Sequence, residues 1–397
     1  MTRLTVIAKP RITSIDLLRG IVMVIMAIDH VRDFFHIDAS TGVPTNMATT
    51  TPQLFFTRWI THFCAPTFVF LAGTSTYLSG IKKTKSELAG FLIRRGFWLI
   101  VVEFLVMSLA FTFNPLYNVF ILQVIWAIGI SMVLLGLIIR LPFNVILILG
   151  LLIICAHNLL DAPEAALHGK VGFWWDLMHR GNFAVYTIIP NHIIIILYPF
   201  LPWFGVMCCG YCFGKLYENG TAPQARRKML MQIGFVVTIL FIVLRLINTY
   251  GDPAPWSVQR NAVYTFLSFL NTTKYPPSLL YLCITLGPAI LFLAIIEDVQ
   301  NRLSNFFIVF GRVPFFYYVV HFYYIHALCV VAFFVFGYTS KDIVPKSTPF
   351  LFRPDDFGFS LPGVYAVWFF VIITLYPICK WYNKYKSTHN QWWLSYV

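Results

Sequence analysis

Ten stretches of this 397-residue chain are each long and apolar enough to cross a lipid bilayer, for which a helix needs about 20 mainly apolar residues. They run over roughly 16–36, 54–80, 89–113, 118–139, 143–160, 189–215, 227–250, 277–298, 313–337 and 362–384, with 304–312 as a short lead-in to the ninth. Backbone in hydrocarbon must satisfy its own N–H and C=O groups, so segments of this length are helices. The expected fold is an all-α, polytopic transmembrane helix bundle of about ten helices. No linker, charge run or internal repeat divides residues 1–397, which read as a single unit. A soluble domain is excluded: 58% of residues are hydrophobic, 11% are charged and the mean hydropathy is +0.74, more apolar surface than such a domain buries.

The formal charge of +13 does not mark a nucleic-acid binder, because the bases sit in short loops between apolar runs, where positive charge sets orientation. Arg3, Lys9 and Arg11 precede the first helix. Lys82, Lys83 and Lys85, with Arg94 and Arg95, follow the second. Arg140 follows the fourth, and Lys215, Arg226, Arg227 and Lys228 the sixth. Arg302 follows the eighth, and Lys380, Lys384 and Lys386 end the chain. Base-poor loops alternate with these stretches, so with ten helices every basic stretch falls on one side. The positive-inside rule then puts both termini in the cytoplasm of a multi-pass protein. The opening "MTRLTVIAKPRITS" is too short and polar for a cleavable signal, so the first helix stays as an anchor. Eight cysteines lie mostly inside apolar runs and read as buried thiols. No metal-binding spacing, Walker loop or GxSxG elbow appears, and no metal is expected.

One stretch resists a purely structural reading. "IMAIDHVRDFFH", 25–36, places Asp29, His30, Arg32, Asp33 and His36 in the outer part of the first helix. Asp29, Asp33 and His36 stack at i, i+4 and i+7, and His30 reaches Asp33 at i+3. The second helix returns with Arg58 and His62 at i and i+4, at nearly the same depth. Ionisable groups inside a membrane usually face the bundle interior and mark a substrate path, a proton relay or a catalytic site. Asn191 and His192 at the start of the sixth helix, Lys274 and Tyr275 at the mouth of the eighth, and His326 in the ninth are further candidates for the outer side. His321 lies mid-helix, and Asp16 and Arg19 pair at i and i+3 near the cytoplasmic end.

"RITSIDLLRGIVMVIMAIDHVRDFFH" followed by "FTRWITHFCAPTFVFLAGTSTYLSG" resembles the catalytic domain of the heparan-alpha-glucosaminide N-acetyltransferase family and its bacterial relatives. "KYPPSLLYL" and "GRVPFFYYVVHFYYIHAL" are similar to its later segments. The resemblance implies acetyl transfer across a membrane, from cytoplasmic acetyl-CoA to an amino sugar or glycan on the other side. It carries the family's Asn position onto Asp29 or His30 and its histidine onto His36. The wider membrane acyltransferase superfamily places the working histidine eleven residues after an arginine, which selects Arg19 and His30. Both histidines therefore stay open, with Asp29 or Asp33 orienting the imidazole. Arg58, His62, Asn191, His192, Lys274, Tyr275 and His326 are expected around the acceptor. Asp16, Arg19, Arg94, Arg312 and His321 are expected around acetyl-CoA. The expected partners are the bilayer, acetyl-CoA and the sugar acceptor; a homodimer stays open, and nucleic acid is not expected. A proton-coupled secondary transporter using the same His/Asp cluster is the alternative. The topology is checked by cysteine labelling: Lys346→Cys is expected to react with an impermeant thiol reagent on intact cells, and Lys83→Cys only after permeabilisation.

Overall fold

The computed structural model describes residues 12–40, 42–168, 171–218 and 221–395; Arg3, Lys9 and Arg11 of the first basic stretch lie outside the described residues. The fold is all-α, with helices at each of the ten expected stretches. Six helical spans are long and apolar enough by themselves to cross a membrane: Pro52–Gly80, Lys85–Thr112, Phe143–Ala166, Pro223–Ile247, Pro314–Val335 and Leu361–Thr388. Two further apolar helices, Val124–Ile138 and Leu279–Ile295, are shorter. The remaining two are α1 (Thr13–Phe35), which carries the charged cluster, and Phe200–Phe213.

The helices take their limits from local chemistry. α2 (Pro52–Thr61) is capped by the Thr51 hydroxyl and starts on a proline. It breaks from α3 (Cys64–Gly80) at His62 and Phe63. Pro66 explains the break, since it supplies no N–H and its ring displaces the carbonyl four residues earlier. That carbonyl belongs to His62, and it accepts a hydrogen bond from the Tyr281 hydroxyl at 2.9 Å. α4 (Lys85–Val102) opens on a Thr84–Glu87 capping box and passes through a π-turn over Glu103–Met107 into α5 (Ser108–Thr112).

Two expected helices are shorter than the sequence suggests. Over 118–139 the chain first forms β1 (Val119–Leu122) and only then α6 (Val124–Ile138). After α7 (Phe143–Ala156), α8 (Asp161–Ala166) and α9 (Phe173–Trp175), it forms β2 (Ala184–Ile189) and β3 (His192–Ile196) where the sixth helix was expected to begin. α10 (Phe200–Phe213) follows Pro199. β3 pairs parallel with β1, Val119 opposite Ile193, and antiparallel with β2, Ala184 opposite Ile196. The four consecutive isoleucines of β3 are β-branched and favour this pairing. α6 and α10, at 15 and 14 residues, rise only about 22 Å, and the strands extend both chain segments outward.

α11 (Pro223–Ile247), α12 (Ala262–Leu270), α13 (Leu279–Ile295), α14 (Arg302–Arg312), α15 (Pro314–Val335) and α16 (Leu361–Thr388) complete the chain. α1 is the central post and touches α2, α3, α13, α14, α15 and α16. Its crossing with α14 is backbone on backbone, because Gly20 lies against the Phe307 carbonyl and Gly311 against that of Asp16, as membrane interfaces of small residues allow.

The basic stretches gather at one end. Lys85 reaches the Tyr211 hydroxyl at 3.1 Å, Arg140 the Ser86 hydroxyl at 3.3 Å, Arg226 pairs with Glu297, and Arg312 lies 3.7 Å from Asp16. At that same end Phe316 stacks on Tyr382 of α16, so both ends of the described chain lie there. The base-poor loops meet at the other end: Arg353 donates to the His36 carbonyl at 3.0 Å, Asn271 to that of Thr45 at 3.2 Å, and the Leu351 N–H to that of Thr112 at 3.1 Å.

A side chain at Gly20 has no room to form. Gly20→Val is expected to lower thermal stability in detergent by about 1–3 kcal/mol or more. Gly90→Ala, whose new methyl meets only the Arg94 side chain at 3.7 Å, leaves stability unchanged or slightly raised.

Candidate active site

A cavity of about 590 Å³ opens at the base-poor end and reaches Met26 near the middle of α1. α1 contributes Asp29, His30, Arg32 and Asp33 to its wall, α2 Arg58 and Thr61, and the α2–α3 break His62. Lys274 and Tyr275 close it from the loop before α13. The two carboxylates and three cations in this wall are not evenly spread. Asp29, only 7% exposed, sits between two guanidiniums. Its Oδ1 lies 2.9 Å from Nη2 of Arg32, one turn on, and its Oδ2 pairs with Arg58 of α2. Arg32 also donates to Asp33 Oδ1 at 2.7 Å. Asp33 is half-exposed to the cavity.

The expectation that Asp29 or Asp33 orients an imidazole is not met by a hydrogen bond. Both carboxylates are engaged by arginine, and His30 forms no hydrogen bond among the described residues. Its ring instead packs on Phe322 (centroids 4.1 Å apart) and on His321 (5.3 Å). An imidazole in a cavity wall with no hydrogen bond of its own keeps its nitrogen chemistry available to a ligand. His62 is similar: it is buried, and its Nδ1 has no partner among the described residues. Lys274 Nζ lies 5.3 Å from the centroid of the Tyr275 ring.

The structure separates other expected residues from this cavity. His36 caps α1 outside it, where Nδ1 accepts from the Asp38 N–H at 3.2 Å and the backbone bridges to Phe359. Asn191 and His192 do not start a helix at all. Asn191 is the left-handed turn residue (φ 65°) between β2 and β3, and His192 is the first residue of β3. Their displacement follows from the strand pairing that replaced the helix. His326 is on α15 as expected but does not line the cavity; its two ring nitrogens lie 3.0 and 2.7 Å from the carbonyls of Ala110 and Leu351.

Of the residues expected around acetyl-CoA, three converge at the basic end. Arg19 pairs with Asp16 at 3.2 Å, donates to the Ser75 hydroxyl at 2.9 Å, and Arg312 approaches Asp16 from α14. Arg94 is apart. It is exposed on the same face of α4 as Phe97, Trp98 and Val101, so it reaches along the lipid-facing side instead of inward. His321 stands behind His30 as a packing partner. From Arg19 to His30 is eleven residues of continuous helix, about 16 Å.

Sequence reasoning missed Gln123, Asn182, Tyr198 and Tyr318, all of which line the cavity. Gln123 joins β1 to α6, and its N–H donates to Glu103 Oε1 at 2.7 Å from the π-turn. The buried acid Glu103 inside an apolar run was the available signal for that corner.

The model of the family described as heparan-alpha-glucosaminide N-acetyltransferase, catalytic, matches residues 11–244. The chain belongs to this family. Its membership and its apolar helices make it an integral membrane protein, and the family implies acetyltransferase activity. The match includes α1 and α2 with the Asp29–Arg58 pair, and it ends before Lys274, Arg312 and His321, so it covers less of the chain than the resemblance in its later segments suggests. Comparison with curated proteins gives no match.

Removing the Asp29 charge leaves two guanidiniums facing each other. Asp29→Asn is expected to cost about 3–5 kcal/mol, measured as loss of thermal stability in detergent. Asp33→Asn, with a side chain 39% exposed, is expected to cost less than about 1 kcal/mol.

Proposed function

We propose that the chain moves an acetyl group from acetyl-CoA, held at the basic end, to an amine or hydroxyl of an amino sugar or glycan that enters the cavity from the base-poor end. The basic end faces the cytoplasm and the cavity mouth faces the periplasm of a bacterial inner membrane. The family membership supports the transfer, and the position of His30 supports the assignment of the base. It is the imidazole of α1 that lines the cavity, and it shares one helix with Arg19 of the basic cluster.

His30 takes a proton from the acceptor nitrogen or oxygen. The freed lone pair attacks the thioester carbonyl carbon, and the carbonyl becomes an oxyanion. Arg58, kept in place by Asp29, and His62 lie on the wall where that charge can be met. As the C–S bond breaks, the imidazolium returns its proton to the departing thiolate. Arg19 and Arg312, with Asp16 between them, supply positive charge for the CoA phosphates. Lys274 and Tyr275 bind the acceptor at the mouth.

The test uses purified protein, labelled acetyl-CoA and a panel of amino sugars, with acetylated product and free CoA thiol as readouts. His30→Gln is expected to lower the rate by about 10²–10⁴-fold, while His36→Gln stays within a few-fold of wild type. Loss of activity in His36→Gln with activity kept in His30→Gln would reverse the assignment. Proton-coupled uptake of sugar without CoA consumption would replace transfer by transport.

A further inference from the structure

The cavity wall includes one aromatic ring that the backbone presents under strain. Just before β2 the chain reverses from Gly181 to Ala184, closed by the Ala184 N–H on the Gly181 carbonyl at 2.9 Å. The two central residues, Asn182 and Phe183, both have positive φ, 45° and 59°, the pattern of a type I′ turn. Such turns favour Asn followed by Gly, because an ordinary side chain crowds the backbone at positive φ. Asn182 meets the first preference. Phe183 stands where the glycine belongs, and a bulky side chain in that conformation is an outlier. Gly181 fixes the turn to the start of α10, because a Cβ there would lie 2.8 Å from Pro199 Cδ.

Burial does not explain the strain. Phe183 is 51% exposed, so it gains only part of the transfer free energy that a core ring would. Its ring does belong to the cavity, which it lines with Asn182, Lys274 and Tyr275. It stands at 70° to the Tyr275 ring, with centroids 5.1 Å apart. Tyr275 meets Tyr198 edge-on at 5.5 Å, and Tyr198 stacks at 5.2 Å on the fully buried Trp203. These contacts follow the preference of aromatic quadrupoles for tilted and offset pairs. An aromatic chain thus runs from the core to the cavity rim and ends on a half-exposed ring. Residues held in sparsely populated backbone conformations cluster at ligand clamps, where the surrounding structure holds the strain.

We propose that Phe183 is the platform on which a pyranose ring of the acceptor stacks as it enters the cavity. This rests on the reading of the acceptor as a sugar and makes Phe183 a specificity residue for it. A pyranose carries hydroxyls around its edge and C–H groups on its faces. The C–H face meets the negative face of the aromatic ring, and the edge is left to Lys274 and the half-exposed Asp33 of the same wall. Stacking fixes the plane of the sugar, and with it the substituent that points inward. An open-chain amine has no such face to offer.

The test measures binding without acetyl-CoA, by saturation-transfer NMR on the full chain in detergent. The probes are D-glucosamine and D-glucamine, an open-chain amino alcohol. Wild type is expected to saturate the ring C–H protons of glucosamine and to prefer it over glucamine about fivefold or more. Phe183→Asn removes the ring but keeps a residue suited to positive φ. It is expected to leave thermal stability equal or raised and to abolish the preference, while Phe183→Trp restores it. In acetyl transfer, the KM for glucosamine is expected to rise in Phe183→Asn by the same factor. A Phe183→Asn protein that keeps the preference would overturn the proposal, even where acetyl transfer proceeds. Equal weakening toward both probes would also overturn it, because a distorted mouth does not select a ring. Loss of the preference in Phe183→Asn, in a protein whose wild type transfers no acetyl group, would keep the platform and remove the transferase reading instead.

Discussion

A carboxylate held between two guanidiniums organises the outer half of this bundle. A lone charge at the depth of Asp29 would be expensive, and so would Arg32 or Arg58 alone. Together they form a chain of alternating charge from Asp33 through Arg32 and Asp29 to Arg58. Buried pairs of this kind add little net stability, but removal of the central Asp29 is costly because both guanidiniums stay buried. The network therefore acts mainly as a register. It ties α2 to α1 at one depth, and α2 carries His62 four residues beyond Arg58. The helix break enforced by Pro66 then turns His62 into the cavity instead of leaving it on a continuous helix.

Polar chemistry is split between the two ends of α1. Asp16, Arg19 and Arg312 form an ion cluster at the basic end, where α1 crosses α14 at Gly20 and Gly311. His30 lies some three helical turns away, in the wall of a cavity that opens on the opposite side. One rigid helix thus carries the ion cluster of the basic end and, about 16 Å along its axis, the imidazole in the cavity wall. The short helices α6 and α10 serve the same division. Each stops early, and β1 and β3 continue outward to frame the cavity with Gln123, Leu197 and Tyr198.

Much of this was legible in the residues alone. Apolar run lengths located a helix in each of the ten expected stretches, the alternation of basic and base-poor loops matched the two ends, and helical spacing placed Asp29, His30, Asp33, Arg58 and His62 around one space. The errors share a cause. β3 was read as helix because a run such as "HIIIILYPF" is equally apolar in either form, and only its pairing with Val119–Leu122 and Ala184–Ile189 tells them apart. His36 and His326 look like His30 in sequence, but one caps a helix under Arg353 and the other sits between two carbonyls. Arg94 shares its charge with Arg19, and only the packing of α4 shows that it faces outward.

What the sequence by itself determined is therefore what depends on distance along one element: membrane residence, the stretches that hold the main helices, the gathering of the basic loops at one end, and which side chains share a helical face. Hydrophobic transfer and the 3.6-residue repeat act locally and leave a direct trace in residue order. Tertiary structure alone decided which carboxylate meets which arginine, which histidine keeps its ring nitrogens unclaimed, and that His157 and His179, over twenty residues apart, face each other at 3.1 Å. Those outcomes depend on how separate elements are brought together, and contacts between distant segments have no fixed spacing in a chain.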